Sequence, residues 1–272
     1  MNRYKFVDEK GQHLHTLDGK PLIGTTTAIN EVLQPPLAWY GAGKAIELFG
    51  VKSPKELTLL KNGRLPDEGL KRLKSGISGA LEAIKEMDTN SFLDLLQKAY
   101  RNHSEYKDIK SEEGTDMHDI LESWTKACIE NFDGKPVLPK EKESEKIQKL
   151  MEWTVLNVDK FLFSECYVYS ERLWLGGKFD LVFKGKDGKT YMGDYKSAKE
   201  SYHKNWVQMA LYDVEQSENG ILTKDGEELS KALKIDGYAL FPLGGKIEPD
   251  YRYNNDDYKK AGEGVVLNYK LL

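Results

Sequence analysis

Three charged side chains in the second half of the chain have the types and spacing to handle a phosphate and a divalent cation. If Gly193-Asp194-Tyr195-Lys196 is a strand, side chains alternate, so Asp194 and Lys196 share one face and Tyr195 points to the other. Upstream, Gly176-Gly177-Lys178-Phe179-Asp180 places a second carboxylate after two glycines, which would admit a close approach by backbone or phosphate. Two carboxylates suit magnesium, which takes oxygen ligands and is commonly held by one or two acids together with substrate phosphate oxygens and water. An ammonium beside them can orient or help deprotonate an attacking water and offset charge developing on the phosphate. Phosphoryl transfer is the chemistry this set suits. Each piece taken alone is weak, because in a chain with 31% charged residues an Asp-x-Lys commonly marks a solvated strand.

The surrounding pattern supplies elements to carry these groups. Ser164 to Tyr169, Arg172 to Lys184 and Thr190 to Lys196 are rich in aromatic and branched residues. Lys186-Asp187-Gly188-Lys189 is a hairpin turn between the last two, which predicts an antiparallel meander. Helices are predicted from Gly114 onward with Thr115 as cap, from about Glu143 to Phe161, and from about His203 to Glu218. Met117, Ile120, Leu121, Trp124 and Cys128 form the apolar stripe of the first of these, and His118 lies beside that stripe. Ile235 to Phe241 is a further strand able to rejoin the sheet. At the N-terminus, Tyr4 to Val7 and His13 to Leu17 read as a strand pair, followed by a helix over Ala28 to Leu33 and another over Leu37 to Leu48. Amphipathic segments from Ser53 to His103 carry the basic cluster Lys55, Lys61, Arg64, Lys71, Arg72 and Lys74, interspersed with acids. The expected organisation is one compact unit, with a hairpin and largely helical elaboration over residues 1–110 joined to an α/β core over 111–272.

Gly177-Lys178-Phe179-Asp180 followed by Gly193-Asp194-Tyr195-Lys196-Ser197 resembles the paired motifs of the PD-(D/E)XK nuclease superfamily, in its RecB-like and phage-type exonuclease branch. Gly114-Thr115-Asp116-Met117-His118 matches that branch's Gly-x-x-x-His pattern, and Gln208-Met209-Ala210-Leu211-Tyr212 matches its Gln-x-x-x-Tyr helix. The likeness spans about Gly114 to Glu218, with a fainter one at Thr25-Thr26-Thr27-Ala28-Ile29 and Pro36-Leu37-Ala38-Trp39. It implies a restriction-endonuclease-like core, with a central mixed sheet flanked by helices. It also implies metal-dependent hydrolysis of DNA, most simply as an exonuclease in recombination, repair or phage DNA metabolism. Asp180, Asp194, His118 and the backbone carbonyl of Tyr195 would hold Mg²⁺ or Mn²⁺, assisted by an acid on the preceding strand, Glu165 or in reserve Glu171. Lys196 would serve the water, and Gln208 and Tyr212 would steady Lys196 or a DNA phosphate. Glu122, one turn from His118, is either its partner or a solvated glutamate. Lys199 and His203 are either contacts to the nucleic-acid backbone or ordinary loop charges. An endonuclease of the same superfamily, a structured-RNA nuclease and a silent DNA-binding or assembly module remain the alternatives, and a recombination protein is a possible partner.

The bulk properties agree with this reading. With 272 residues, 39% hydrophobic, the chain is long enough for a substantial core and lacks any apolar run of bilayer length. Its polar N-terminus carries no secretory signal, so a cytoplasmic home is expected. Two cysteines, Cys128 and Cys166, exclude a four-cysteine iron–sulfur cluster such as some related nucleases carry. A formal net charge of -4 means that any grip on nucleic acid must be local.

Overall fold

A computed structural model describes residues 2–9, 12–33, 46–49, 51, 59, 62–253 and 255–271. The chain forms two compact units, Met1–Gln34 with Glu113–Leu272, and Pro35–Glu112. The chain thus divides into two units where one was expected, and the boundary after residue 110 does not hold at the N-terminus: the first 34 residues belong with the core. The cause is pairing and packing distant in sequence. Among the described residues, β1 (Tyr4–Glu9), β2 (Gln12–Leu17) and β3 (Lys20–Pro21) make a small antiparallel sheet. Next, β4 (Ile23–Gly24) pairs in parallel with a strand some 150 residues later, Ile23 opposite Leu175 and Gly24 opposite Gly176, and leads into α1 (Thr25–Val32).

In the second unit, α2 (Asp67–Lys85) follows Pro66, with Asp67 and Glu68 in its first turn and Lys85 in its last, matching the helix dipole. Then α3 (Thr89–Phe132) runs for 44 residues, and its part from Glu113 onward belongs to the first unit. Thr115 is thus inside a helix and does not cap its start. The helix expected to begin at Gly114 instead runs through it, because one glycine in a helix costs only about 1 kcal/mol. The start is set by Asp88, whose carboxylate accepts the backbone N–H of Asn90 at 2.9 Å and of Ser91 at 3.1 Å. Of the basic cluster, Lys55 and Lys61 lie outside the described residues, as does most of the helix expected over Leu37 to Leu48. Arg64, Lys71, Arg72 and Lys74 are exposed.

The first unit is built on a mixed sheet, and its meander falls where the turn chemistry puts it. After α4 (Glu145–Asn157) come β5 (Val158–Ser170), β6 (Leu175–Gly185) and β7 (Thr190–Lys196), each antiparallel to the one before. The helix expected to reach Phe161 ends at Asn157, since Val158 is already extended and Phe161 pairs across to Phe183. After β7, α5 (His203–Asn219) crosses the sheet. Two short strands follow, β8 (Ile221–Leu222) and β9 (Glu228–Ser230). The chain then enters β10 (Gly237–Pro242), which lies parallel to β7. Last come β11 (Asp250–Arg252) and α6 (Asn255–Tyr269), giving the strand order β11-β10-β7-β6-β5-β8-β9 with β4 beside β6.

Helices cover both faces. On one, Leu121, Trp124 and Cys128 of α3 and Ile147, Leu150 and Met151 of α4 pack on Leu181, Phe183, Tyr191, Tyr195 and Phe241. On the other, Trp206, Met209 and Ala210 of α5 pack on Val168, Phe179, Val182, Met192 and Leu240, while Val207 and Leu211 meet Ala28, Ile29 and Val265. This explains why α5 is buried from Asn205 to Gln216: it is sandwiched between the sheet and the flanking helices α1 and α6. Among the described residues, no helix is long and apolar enough to cross a membrane.

Candidate functional site

The site opens where β6 loses its neighbour. Along that edge β4 pairs at Leu175 and Gly176 and β7 pairs from Leu181 to Lys184, so Gly177 to Asp180 pair with neither. Tyr195 would lie opposite Phe179 if the ladder continued. Its backbone N–H goes instead to Asp180 Oδ2 at 2.7 Å, a charge-assisted bond that holds the parted strands together through a carboxylate. Phe179 and Leu181, two residues apart, pack on opposite sheet faces, so the side-chain alternation slips by one at Asp180. Opposite that slip, Glu165 on β5 takes a left-handed φ of 54°. The two irregularities bring Glu165 and Asp180 to the side where α3 passes.

His118 descends from α3 with Nε2 3.0 Å from Asp180 Oδ2, its ring edge-on to Tyr195. From its place beside the apolar stripe of α3, the imidazole reaches Asp180 on β6. On β7, Lys196 Nζ lies 3.0 Å from Asp194 Oδ1 and 2.8 Å from Oδ2, and the Asp194 side chain is 4% exposed. Burial and the nearby Asp180 charge push the Asp194 carboxyl up to about 7, against the pull of Lys196. Burial also acts to raise Asp180, yet the His118 hydrogen bond and the charges of His118 and Lys196 hold it below the ordinary carboxylate range. The same hydrogen bond lifts His118 to about 9 despite its burial. Burial works against the Lys196 ammonium, but Asp194 and Asp180 outweigh it and keep the lysine charged.

Glu165, rather than Glu171, faces this group. Glu171 is half exposed and pairs with Arg3. The Glu165 side chain is 4% exposed, and neither of its oxygens has a geometrically sound hydrogen bond, although Lys178 Nζ lies against one of them. Burial, then Asp180, raises its carboxyl. One ligand atom each from His118, Glu122 and Glu165 lie within 4.8 Å of one another, the spacing of a cation site, and Glu122 also pairs with Lys126.

Gln208 and Tyr212 share one face of α5 and meet at 2.9 Å. Gln208 Nε2 also donates to Thr26 Oγ1 at 2.7 Å, and that hydroxyl is 3.3 Å from the Tyr212 hydroxyl. The glycines before Asp180 make room for the protein itself and not for a phosphate. A Cβ on Gly177 would stand 2.4 Å from Tyr212 Cε1, and one on Gly176 would stand 2.6 Å from His15 Cβ. Gly177→Ala should therefore displace the Tyr212 ring and destabilise the fold by about 1–3 kcal/mol. A urea midpoint unchanged from wild type would show that the ring is not held there.

Lys199 and His203 are exposed, on the loop after β7 and at the first position of α5; His203 packs against Tyr258. The structure does not bring them into the buried cluster. No role was expected of Thr26, Asn30, Lys178 or Lys204; Thr26 and Lys178 lie within the quoted motifs, and Asn30 and Lys204 carry no signal of their own. No protein-family model and no curated protein matches this sequence.

Proposed function

We propose that this chain is a divalent-metal-dependent deoxyribonuclease with a PD-(D/E)XK core, acting on DNA ends as an exonuclease. The observation that carries the reading is the convergence, at one parting of two strands, of Asp180, Asp194 and Lys196 with His118 from α3. This is the set expected from spacing and motif order, and it has the composition that phosphodiester hydrolysis needs.

The donor set fits Mg²⁺ or Mn²⁺. Asp194 and Glu165 are carboxyls pushed toward the neutral form by burial and by Asp180, and Glu165 keeps both oxygens without a sound hydrogen bond. Such a cluster gains from a cation. Asp180, Asp194, His118 and the Tyr195 carbonyl would hold it, with Glu165 assisting and Glu122 next to them. A bound divalent ion supplies Lewis acidity toward a phosphate oxygen and acidifies water. Ligation requires a neutral imidazole, so uptake competes with the proton that His118 shares with Asp180. Lys196 presents a fixed positive charge to the water and the phosphate, and the buried Gln208 and Tyr212 hold their polar ends in place through Thr26.

The test is digestion of end-labelled linear duplex, single-stranded and covalently closed circular DNA with Mg²⁺, Mn²⁺ or EDTA, with Asp194→Ala as control. Metal-dependent loss of linear DNA alone, absent in the variant, is the expected result. Cleaved circles would establish an endonuclease instead, and no cleavage of any substrate would overturn the enzymatic reading.

A further inference from the structure

A polar seam runs between α1 and α5 from the buried end of the site toward solvent. Lys204, Gln208 and Tyr212 follow one another at four-residue intervals on α5, and Thr26 and Asn30 do so on α1, so each set lies along one stripe of its helix. They meet rung by rung. Tyr212 and Gln208 share Thr26, and one turn further out Lys204 Nζ donates to Asn30 Oδ1 at 3.1 Å. Beside this seam the same two helices meet through the buried pair Thr25 and Glu215 and through Ala28 and Ile29 against Val207 and Leu211.

Lys204 is the unusual member of the seam. It is half-buried, its partner is a neutral amide, and among the described residues no carboxylate forms an ion pair with it. Burial, and then the Lys196 ammonium, lower its pKa. A half-buried ammonium propped only by a neutral amide, one helical turn from Gln208, costs free energy that a neighbouring anion offsets.

We propose that Lys204, positioned by Asn30, binds the substrate's backbone phosphate next to the scissile one, so that the α1–α5 seam is the track along which one nucleic-acid strand leaves the site. This rests on the nuclease reading for the identity of the anion. A lysine that only tied α5 to α1 would be replaced by glutamine at no cost to substrate affinity, since the amide can still bond to Asn30. A phosphate contact depends on charge and is restored by arginine.

The experiment measures binding of a fluorescent single-stranded oligonucleotide to the full chain in Ca²⁺ across a salt series, and cleavage of the same oligonucleotide in Mg²⁺, for wild type, Lys204→Gln and Lys204→Arg. Loss of one charge-assisted phosphate bond predicts roughly 10-fold weaker binding and a KM raised to match for Lys204→Gln. The slope of log affinity against log salt should become shallower by about 0.7. Affinity and slope should return in Lys204→Arg. Unchanged affinity and slope in Lys204→Gln overturns the proposal even if the enzyme cleaves, and so does a wild type that does not bind the oligonucleotide. Binding that depends on Lys204 without any cleavage supports the phosphate site and sinks the nuclease reading alone.

Discussion

Lys196→Ala is expected to lower single-turnover, metal-dependent DNA cleavage by about 10²–10⁴-fold, the range for removing one positioned proton-transfer or charge-stabilising group. The ammonium lies within 3.0 Å of both Asp194 oxygens, and its pKa is raised, so it is held charged and does not act as a free amine base. Its expected contribution is therefore to the charge that develops on the phosphate and to the orientation of the water, and Lys196→Arg should recover only part of the rate because a planar guanidinium does not occupy an ammonium's place. The alanine variant also leaves Asp194 buried without its counter-charge, which should lower stability. Comparing rates at saturating Mg²⁺ and well below the midpoint of thermal unfolding separates the two effects. A rate within threefold of wild type under those conditions would mean that Lys196 has no part in the chemistry.

The second large effect is expected at Glu215, a carboxyl with no exposed surface near the C-terminal end of α5. Its Oε1 lies 2.5 Å from Thr25 Oγ1, and that hydroxyl is also 3.3 Å from the carbonyl oxygen of Gly176. Thr25 has one hydroxyl hydrogen. If Glu215 is protonated it donates to Thr25 and the hydroxyl hydrogen is free for Gly176, whereas an ionised Glu215 would take that hydrogen and leave its own Oε2 charged and without a partner. Burial raises the carboxyl well above its ordinary value, in agreement with the proton count. The contact ties α1, β6 and α5 together behind Thr26 and Gln208.

Glu215→Ala should cost about 2–4 kcal/mol from the cavity and the lost bonds. Glu215→Gln should cost far less, because its amide donates to Thr25 in the same way. The pH dependence has a definite sign: the folded protein keeps a proton here that the unfolded chain loses above about pH 4.5. The contact's full contribution is thus present below that pH and declines as pH rises, by up to about 1.4 kcal/mol per unit, until the folded pKa is passed. In urea unfolding from pH 5 to 8, Glu215→Gln should gain on the wild type as pH rises. A constant difference between the two would show that Glu215 is ionised throughout.

Legibility followed the range of the forces involved. The meander β5–β6–β7, its turn at Lys186 to Lys189, the sharing of one face by Asp194 and Lys196, and the stripe holding Gln208 and Tyr212 all come from side-chain periodicity and turn preference over a few residues. Those preferences act locally and were readable in the sequence, as was the approach of His118. Competing local signals move two helix ends. Asp88 caps a helix that passes through Gly114, and the branched and aromatic run from Val158 turns the end of an expected helix into a strand.

The sequence by itself thus determined the order of elements in the core and named the acids, lysine and histidine of the candidate site. Tertiary structure alone decided which of them touch and what else joins them. Pairing of Ile23 with Leu175, far apart in the chain, brings Thr26 and Asn30 alongside Gln208 and Lys204. The parting of β6 from β7 gives Asp180 a backbone N–H as its partner, and Gly177 yields its space to the Tyr212 ring. These contacts exist only because the sheet must close its edge and the helices must bury their faces, and such long-range packing leaves no periodic trace in the sequence on either side.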